Sequence, residues 1–87
     1  MNLNTLYYFK VLAQLQHYSQ AAELLYISQP SLSHAISALE KDLGVPLFQK
    51  KGRNVELTKY GKIFSSYITR GFDEIENGEK TIRKLSR

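Results

Sequence analysis

Ser28 to Phe48 reads SQPSLSHAISALEKDLGVPLF, and the first two-thirds of that stretch is a short helix with two unlike faces. At a turn of about 100° per residue, Leu32, Ile36, Leu39 and Leu43 fall on one stripe. Pro30, Ser33, His34, Ser37 and Lys41 fall opposite. That outer side is small, polar and nearly free of carboxylates: Glu40 lies toward its edge, and Asp42 comes only in the last turn. A solvated helix usually mixes long charges of both signs. A helix that lies in a nucleic-acid groove needs short hydrogen-bonding side chains and few negative charges. Ser28 or Gln29 is placed to cap this helix, and Pro30 sits in the first turn, where a missing N–H costs nothing. Gly44 ends it and Pro46 prevents its continuation.

Upstream, a short helix is expected from Ser19 to about Leu25, with Ser19 as its N-cap. Ala21 and Ala22 let a crossing helix come close, while Leu24 and Leu25 supply the apolar anchor. Tyr26 and Ile27 carry the chain through a tight turn, and two short helices so joined make a helix-turn-helix. A first helix is expected from about Leu3 to Gln16, with Leu6, Phe9, Leu12 and Ala13 on one core-facing stripe. Tyr7, Tyr8 and Val11 extend that surface for packing. His17 sits at a helix end, structural or solvated.

After Pro46 the period changes. Leu47, Phe48 and Gln49 read as a short strand, Lys50 to Asn54 as a turn with Gly52 able to take positive φ, and Val55 to Leu57 as the returning strand. Two-stranded hairpins are marginal alone, so Leu47, Val55 and Leu57 are expected to pack on the helices. Thr58 then caps one long helix running to about Leu85. Phe64, Ile68, Phe72, Ile75, Ile82 and Leu85 fall near one stripe, which extends beyond what a small core covers. A second copy of the same helix is the simplest cover. Gly61, Gly71 and Gly78 each weaken a helix by roughly 1 kcal/mol relative to alanine, and they also permit close helix approach.

Eighty-seven residues allow one small domain. The chain has no cysteine, hence no disulfide or thiolate metal site, and its two histidines lack metal-ligand spacing. No cofactor or metal is therefore expected. No apolar run approaches the ~20 residues that cross a bilayer, and no signal peptide opens the chain, so a cytoplasmic location is expected. The net charge is +4, and four basic residues cluster within Lys50 to Lys59: Lys50, Lys51, Arg53 and Lys59. Such a cluster beside a groove-sized helix fits phosphate contact, and on charge alone it equally fits an ordinary solvated loop.

Taken together, these motifs resemble the N-terminal winged helix-turn-helix domain of the LysR-type transcriptional regulators with its linker helix. The match is carried by Leu3, Leu6 and Phe9, by Ala21–Ala22, and by the run from Ile27 to Phe48, with ISQPSLS, the IxxLE of Ile36 to Glu40, and LGVPLF. Leu57–Thr58 followed by Gly61 extends it. The resemblance implies a mainly α fold. A winged helix-turn-helix of three helices plus a two-stranded β wing occupies residues 1–58, with the helix-turn-helix about 18–37 and the wing about 47–57. A linker and dimerisation helix follows at 59–87. Family members usually carry a C-terminal effector-sensing domain, which this chain does not include. They dimerise through antiparallel linker helices and are often tetramers that bend promoter DNA, with RNA polymerase a further partner.

By this resemblance, Gln29, Pro30, Ser31, Ser33, His34 and Ser37 face the major groove, where glutamine pairs with an adenine edge and proline meets a thymine methyl. Ser19, Gln20, Ser28, Lys50, Lys51, Arg53 and Thr58 are expected at the DNA backbone or the minor groove. Phe64, Ile68, Phe72, Ile75 and Ile82 are expected at the dimer interface. Position 34 is often arginine in the family, and the histidine here leaves sequence preference open, since imidazole cannot make the bidentate guanine contact. The alternative function is a winged-helix protein-interaction or dimer module, which predicts an acidic or apolar outer face on the helix from Ser28 to Leu43. An enzyme is not expected: no nucleophile–base–orienter set and no phosphate-binding glycine loop is present.

Overall fold

A computed structural model describes residues 1–87 as four helices and one antiparallel hairpin: α1 (Leu3–Leu15), α2 (Tyr18–Leu25), α3 (Gln29–Leu43), β1 (Phe48–Lys51), β2 (Asn54–Leu57) and α4 (Lys59–Leu85). The architecture is the winged helix-turn-helix that the sequence implied. The core is built from Phe9 and Leu12 of α1, Ala21 and Ala22 of α2, Leu32, Ile36 and Leu39 of α3, and Leu47 just before the wing. The α3 stripe read from its spacing is thus the buried one, with Leu43 partly buried at its end. No buried polar side chain lacks a hydrogen-bond partner.

The caps follow side-chain chemistry closely. Asn2 accepts from the Thr5 amide at 2.9 Å to open α1. Ser28 accepts from the Ser31 amide at 3.1 Å to open α3, and Gly44 closes that helix at φ 76°. The start of α2 differs from expectation. Its N-cap is His17, whose Nδ1 accepts from the Gln20 amide at 3.1 Å, and Ser19 lies inside the first turn. An imidazole nitrogen serves here as the acceptor that a hydroxyl or carboxylate usually provides. The anchor role given to Leu24 also fails: it is 61% exposed, and Tyr18, Ala21, Ala22 and Leu25 form the inward side of α2.

The wing differs from its spacing: β1 begins at Phe48, leaving Leu47 outside it, and runs on to Lys51, while β2 begins one residue early, at Asn54. Phe48 faces Leu57, Lys50 faces Val55, and Lys51 pairs with Asn54, leaving only Gly52 and Arg53 at the tip. Gly52 takes φ 62° and Arg53 keeps negative φ, the pattern of a hairpin turn with glycine at its first central position. Two devices fasten the hairpin to the helices. The Glu40 carboxylate, near the end of α3, accepts from the backbone amides of Leu47 and Phe48 at 2.7 and 3.2 Å. Thr58 caps α4 by accepting from the Gly61 amide at 3.1 Å, and it donates its own hydroxyl proton to the Pro46 carbonyl at 2.7 Å. Gly61 is required by proximity, because a Cβ there would overlap the Leu47 carbonyl.

The single apolar stripe expected along α4 divides in the fold. Phe64 and Ile68 pack on the core of their own chain, the Phe64 ring tilted against Phe9 with 5.2 Å between ring centroids. Phe72 meets Tyr7 edge-on at 5.6 Å. Beyond Phe72 the helix leaves the domain, with Ile75 53%, Ile82 66% and Leu85 75% exposed.

Candidate nucleic-acid interface

The N-terminal turn of α3, the first turn of α2 and the wing tip surround one recess of about 590 Å³, lined by Tyr18, Gln29, Pro30, Ser33 and Arg53. Four of those five were expected at a nucleic-acid surface from sequence: Gln29, Pro30 and Ser33 on the helix, and Arg53 on the wing. They come from sequence positions far apart. They meet because Glu40 and Thr58 fix the wing against α3, so that the two-residue tip carries Arg53 toward the helix N-terminus.

Tyr18 is the residue that sequence reading missed. Its phenol is held above the ordinary tyrosine range, first by burial, then by the Glu40 carboxylate, with the Ser33 side chain opposing as a hydrogen-bond partner. Burial and the neighbouring carboxylate thus favour the neutral phenol. A signal was available in the spacing. Tyr18, Ala21, Ala22 and Leu25 stand at i, i+3, i+4 and i+7, which marks Tyr18 as part of the helix rather than its approach.

The remaining candidates divide by how they are engaged. Ser31, His34 and Ser37 are exposed along α3. Ser28 accepts the cap bond and donates to the Ser31 hydroxyl at 2.8 Å, which leaves the Ser31 proton for an outside acceptor. Because His17 takes the capping role, the Ser19 hydroxyl is free of it. Gln20 lies apart from the recess, in a shallow depression with Glu23, Leu24 and Tyr26. Lys50 is exposed, and Lys51 is held loosely by Glu56 at 3.9 Å. The Thr58 hydroxyl is engaged within the fold, accepting the α4 cap bond and donating to the Pro46 carbonyl.

No acidic residue occupies the first turn of α2 or α3. Their N-termini thus keep the partial positive charge of free backbone amides, a surface suited to anions. No group of carboxylates and histidines could hold a metal, and no helix is long and apolar enough to cross a membrane.

A protein with this arrangement is a winged helix-turn-helix regulator module. The chain belongs to the lysR family of bacterial regulatory helix-turn-helix proteins, whose family model matches residues 3–62. It is 42% identical over 85 residues to YybE, an uncharacterized HTH-type transcriptional regulator of Bacillus subtilis, covering 98% of this chain and 29% of that protein. The HTH-type transcriptional regulator IlvR of Caulobacter vibrioides is 38% identical over the same shares of each. The chain thus spans less than a third of the length of these relatives. Among solved structures, the BenM DNA-binding domain in complex with catB site 1 DNA superposes with a TM-score of 0.91 at 30% identity, covering 99% of this chain and 96% of that one. The CbnR DNA-binding domain in complex with DNA gives 0.88 at 32% identity, with both chains covered completely. The relatives are transcriptional regulators, and this chain is a transcription-regulation domain of their kind rather than an enzyme.

Proposed function

We propose that this chain binds double-stranded promoter DNA sequence-specifically, inserting α3 into the major groove while the wing grips the backbone or the adjacent minor groove. The observation that carries the reading is the recess itself. A carboxylate-free helix N-terminus bearing Gln29, Pro30 and Ser33 faces a guanidinium, Arg53, across a gap open to solvent. Gln29 reads an adenine edge, Pro30 meets a thymine methyl, and Ser31, Ser33, His34 and Ser37 extend the contact along α3. Arg53, Lys50, Lys51 and the α2 N-terminus at Ser19 hold phosphates and set the register. The DNA complexes of BenM and CbnR support this reading through their likeness to the fold.

The functional unit is a homodimer joined through α4. It places two copies of α3 in major grooves about 34 Å apart, or a multiple of that, and so selects an interrupted, roughly palindromic site. In the whole regulator, a C-terminal domain senses a small-molecule effector, tetramers form, and RNA polymerase is the downstream partner. Fluorescence-anisotropy titration of the promoter duplex upstream of its own gene, against a scrambled duplex, tests the core of the proposal. Tight, salt-sensitive binding with preference for the promoter is expected. Absence of binding to either duplex at low salt refutes it.

A further inference from the structure

The Tyr18 hydroxyl is not required by the packing around it. Tyr18 opens α2, and its half-buried ring packs against the core. A phenylalanine would supply that packing equally well. The oxygen instead sits where burial and the Glu40 carboxylate both oppose its ionisation. What the oxygen gains is its outlook, because Tyr18 lines the recess of about 590 Å³ together with Gln29, Pro30, Ser33 and Arg53. A side chain whose body is packed and whose tip is wet presents that tip with little freedom left to lose on binding. The Ser33 side chain lowers the phenol's pKa, as a hydroxyl donating to its oxygen does, which leaves the phenol's own proton free for an outside acceptor.

Across the recess stands Arg53, at the two-residue tip of the wing. The ion pairs of the chain are Met1–Asp42, Lys51–Glu56, Glu76–Lys80 and Glu79–Arg83, and Arg53 is in none of them. No carboxylate lines the recess. The negative charge that acts on Tyr18, that of Glu40, is held by the Leu47 and Phe48 amides at 2.7 and 3.2 Å. A cation without a counter-ion thus faces a neutral, anchored donor over a gap open to solvent. We infer that this recess seats a single phosphodiester of the DNA backbone, one non-bridging oxygen accepting from the Tyr18 hydroxyl while the Arg53 guanidinium holds the charge. This rests on the DNA-binding reading above and adds to it a residue and a place. The two ligands do different work. Arg53 supplies attraction from a long, mobile side chain, and Tyr18 supplies direction from a fixed ring. A phosphate so placed sets where α3 lies along the duplex, and with it which base edges Gln29 and Ser33 meet.

Tyr18→Phe keeps the ring and removes the donor, and circular dichroism at neutral pH checks that the fold is kept. Anisotropy titrations are expected to show affinity lower by roughly tenfold on the promoter duplex and on the scrambled duplex alike, the worth of one hydrogen bond to a charged group. The slope of log affinity against log salt is expected to stay at the wild-type value, because a neutral donor releases no counterion, whereas Arg53→Ala lowers it. Promoter duplexes in which one phosphate at a time is replaced by an uncharged methylphosphonate locate the seat. The wild-type chain is expected to lose affinity sharply at one position, where Tyr18→Phe and Arg53→Ala each lose little more. Wild-type binding with an unchanged affinity for Tyr18→Phe overturns the seat and leaves the DNA-binding reading standing. A loss confined to the promoter duplex does the same, since it makes the phenol a base-reading group, and so do losses for the two variants that map to different phosphates. A scan with no sensitive position, with inorganic phosphate displacing the duplex better than chloride at equal ionic strength, assigns the recess to a free anion and also overturns the seat. Failure of the wild-type chain to bind either duplex at low salt overturns both readings.

Discussion

At the scale of single residues, the surface is organised by what each side chain still has to offer once local bonds are made. Ser28 and Thr58 are occupied as caps, whereas Gln29 has no intrachain partner for its amide. Gln29→Ala is therefore expected to cost roughly 1–3 kcal/mol on the specific site and little on random duplex. Equal losses on both duplexes in anisotropy titrations would sink its base-reading role. His17 is the opposite case, a residue whose value is structural. His17→Ala is expected to lower stability by about 1 kcal/mol in urea denaturation, and His17→Ser to restore it, because either acceptor satisfies the Gln20 amide. The histidine cap was hard to read because serine is the commoner acceptor, and Ser19 stands two residues on. The distinction lay in the placement of Tyr18 on the α2 stripe.

At the scale of elements, each helix was legible because its apolar period and end signals agreed. Ser28, Pro30 and Gly44 bound α3 on both sides, and Thr58 marks the start of α4. The wing was legible as a hairpin, but its tip was drawn too wide, since Lys51 and Asn54 are polar and look like loop while still pairing. What joins the wing to α3 was not visible. Glu40 reads on a helical wheel as an edge carboxylate, yet it accepts two backbone amides that lie seven and eight residues downstream. Glu40→Ala leaves those part-buried donors unsatisfied. It is expected to cost about 2–3 kcal/mol, and Glu40→Gln less, because one acceptor oxygen remains. Urea midpoints at constant m-value measure this. No difference between wild type and alanine would mean that water replaces the carboxylate.

For the whole molecule, electrostatics and titration integrate over the fold. Replacing Arg53 with alanine should weaken binding to every duplex alike and reduce the slope of log affinity against log salt by about one, as for the loss of one phosphate contact. An unchanged slope over a salt series removes the wing tip from the backbone. The raised titration of Tyr18 has a definite sign. Since the folded state holds this proton more tightly than the unfolded chain, the associated stability is complete below the ordinary value of 10.0 and is lost as pH rises above it. Thermal melts across alkaline pH should fall less steeply for Tyr18→Phe than for wild type. Parallel curves would show that the phenol titrates alike in both states.

The sequence by itself determined the helices, the wing, the carboxylate-free face of α3 and the basic cluster, because periodicity, caps and charge are local properties carried by neighbouring residues. It also carried the family, through motifs spread from Leu3 to Gly61. Only the tertiary structure decided which of these meet. It brought Tyr18 and Arg53 to the same recess as Gln29, and it assigned Glu40 and Thr58 to fastening the wing. It also divided the α4 stripe between its own core and an open side. A helical wheel gives the direction of a side chain about its own axis, but what stands in that direction depends on contacts between residues distant in the chain.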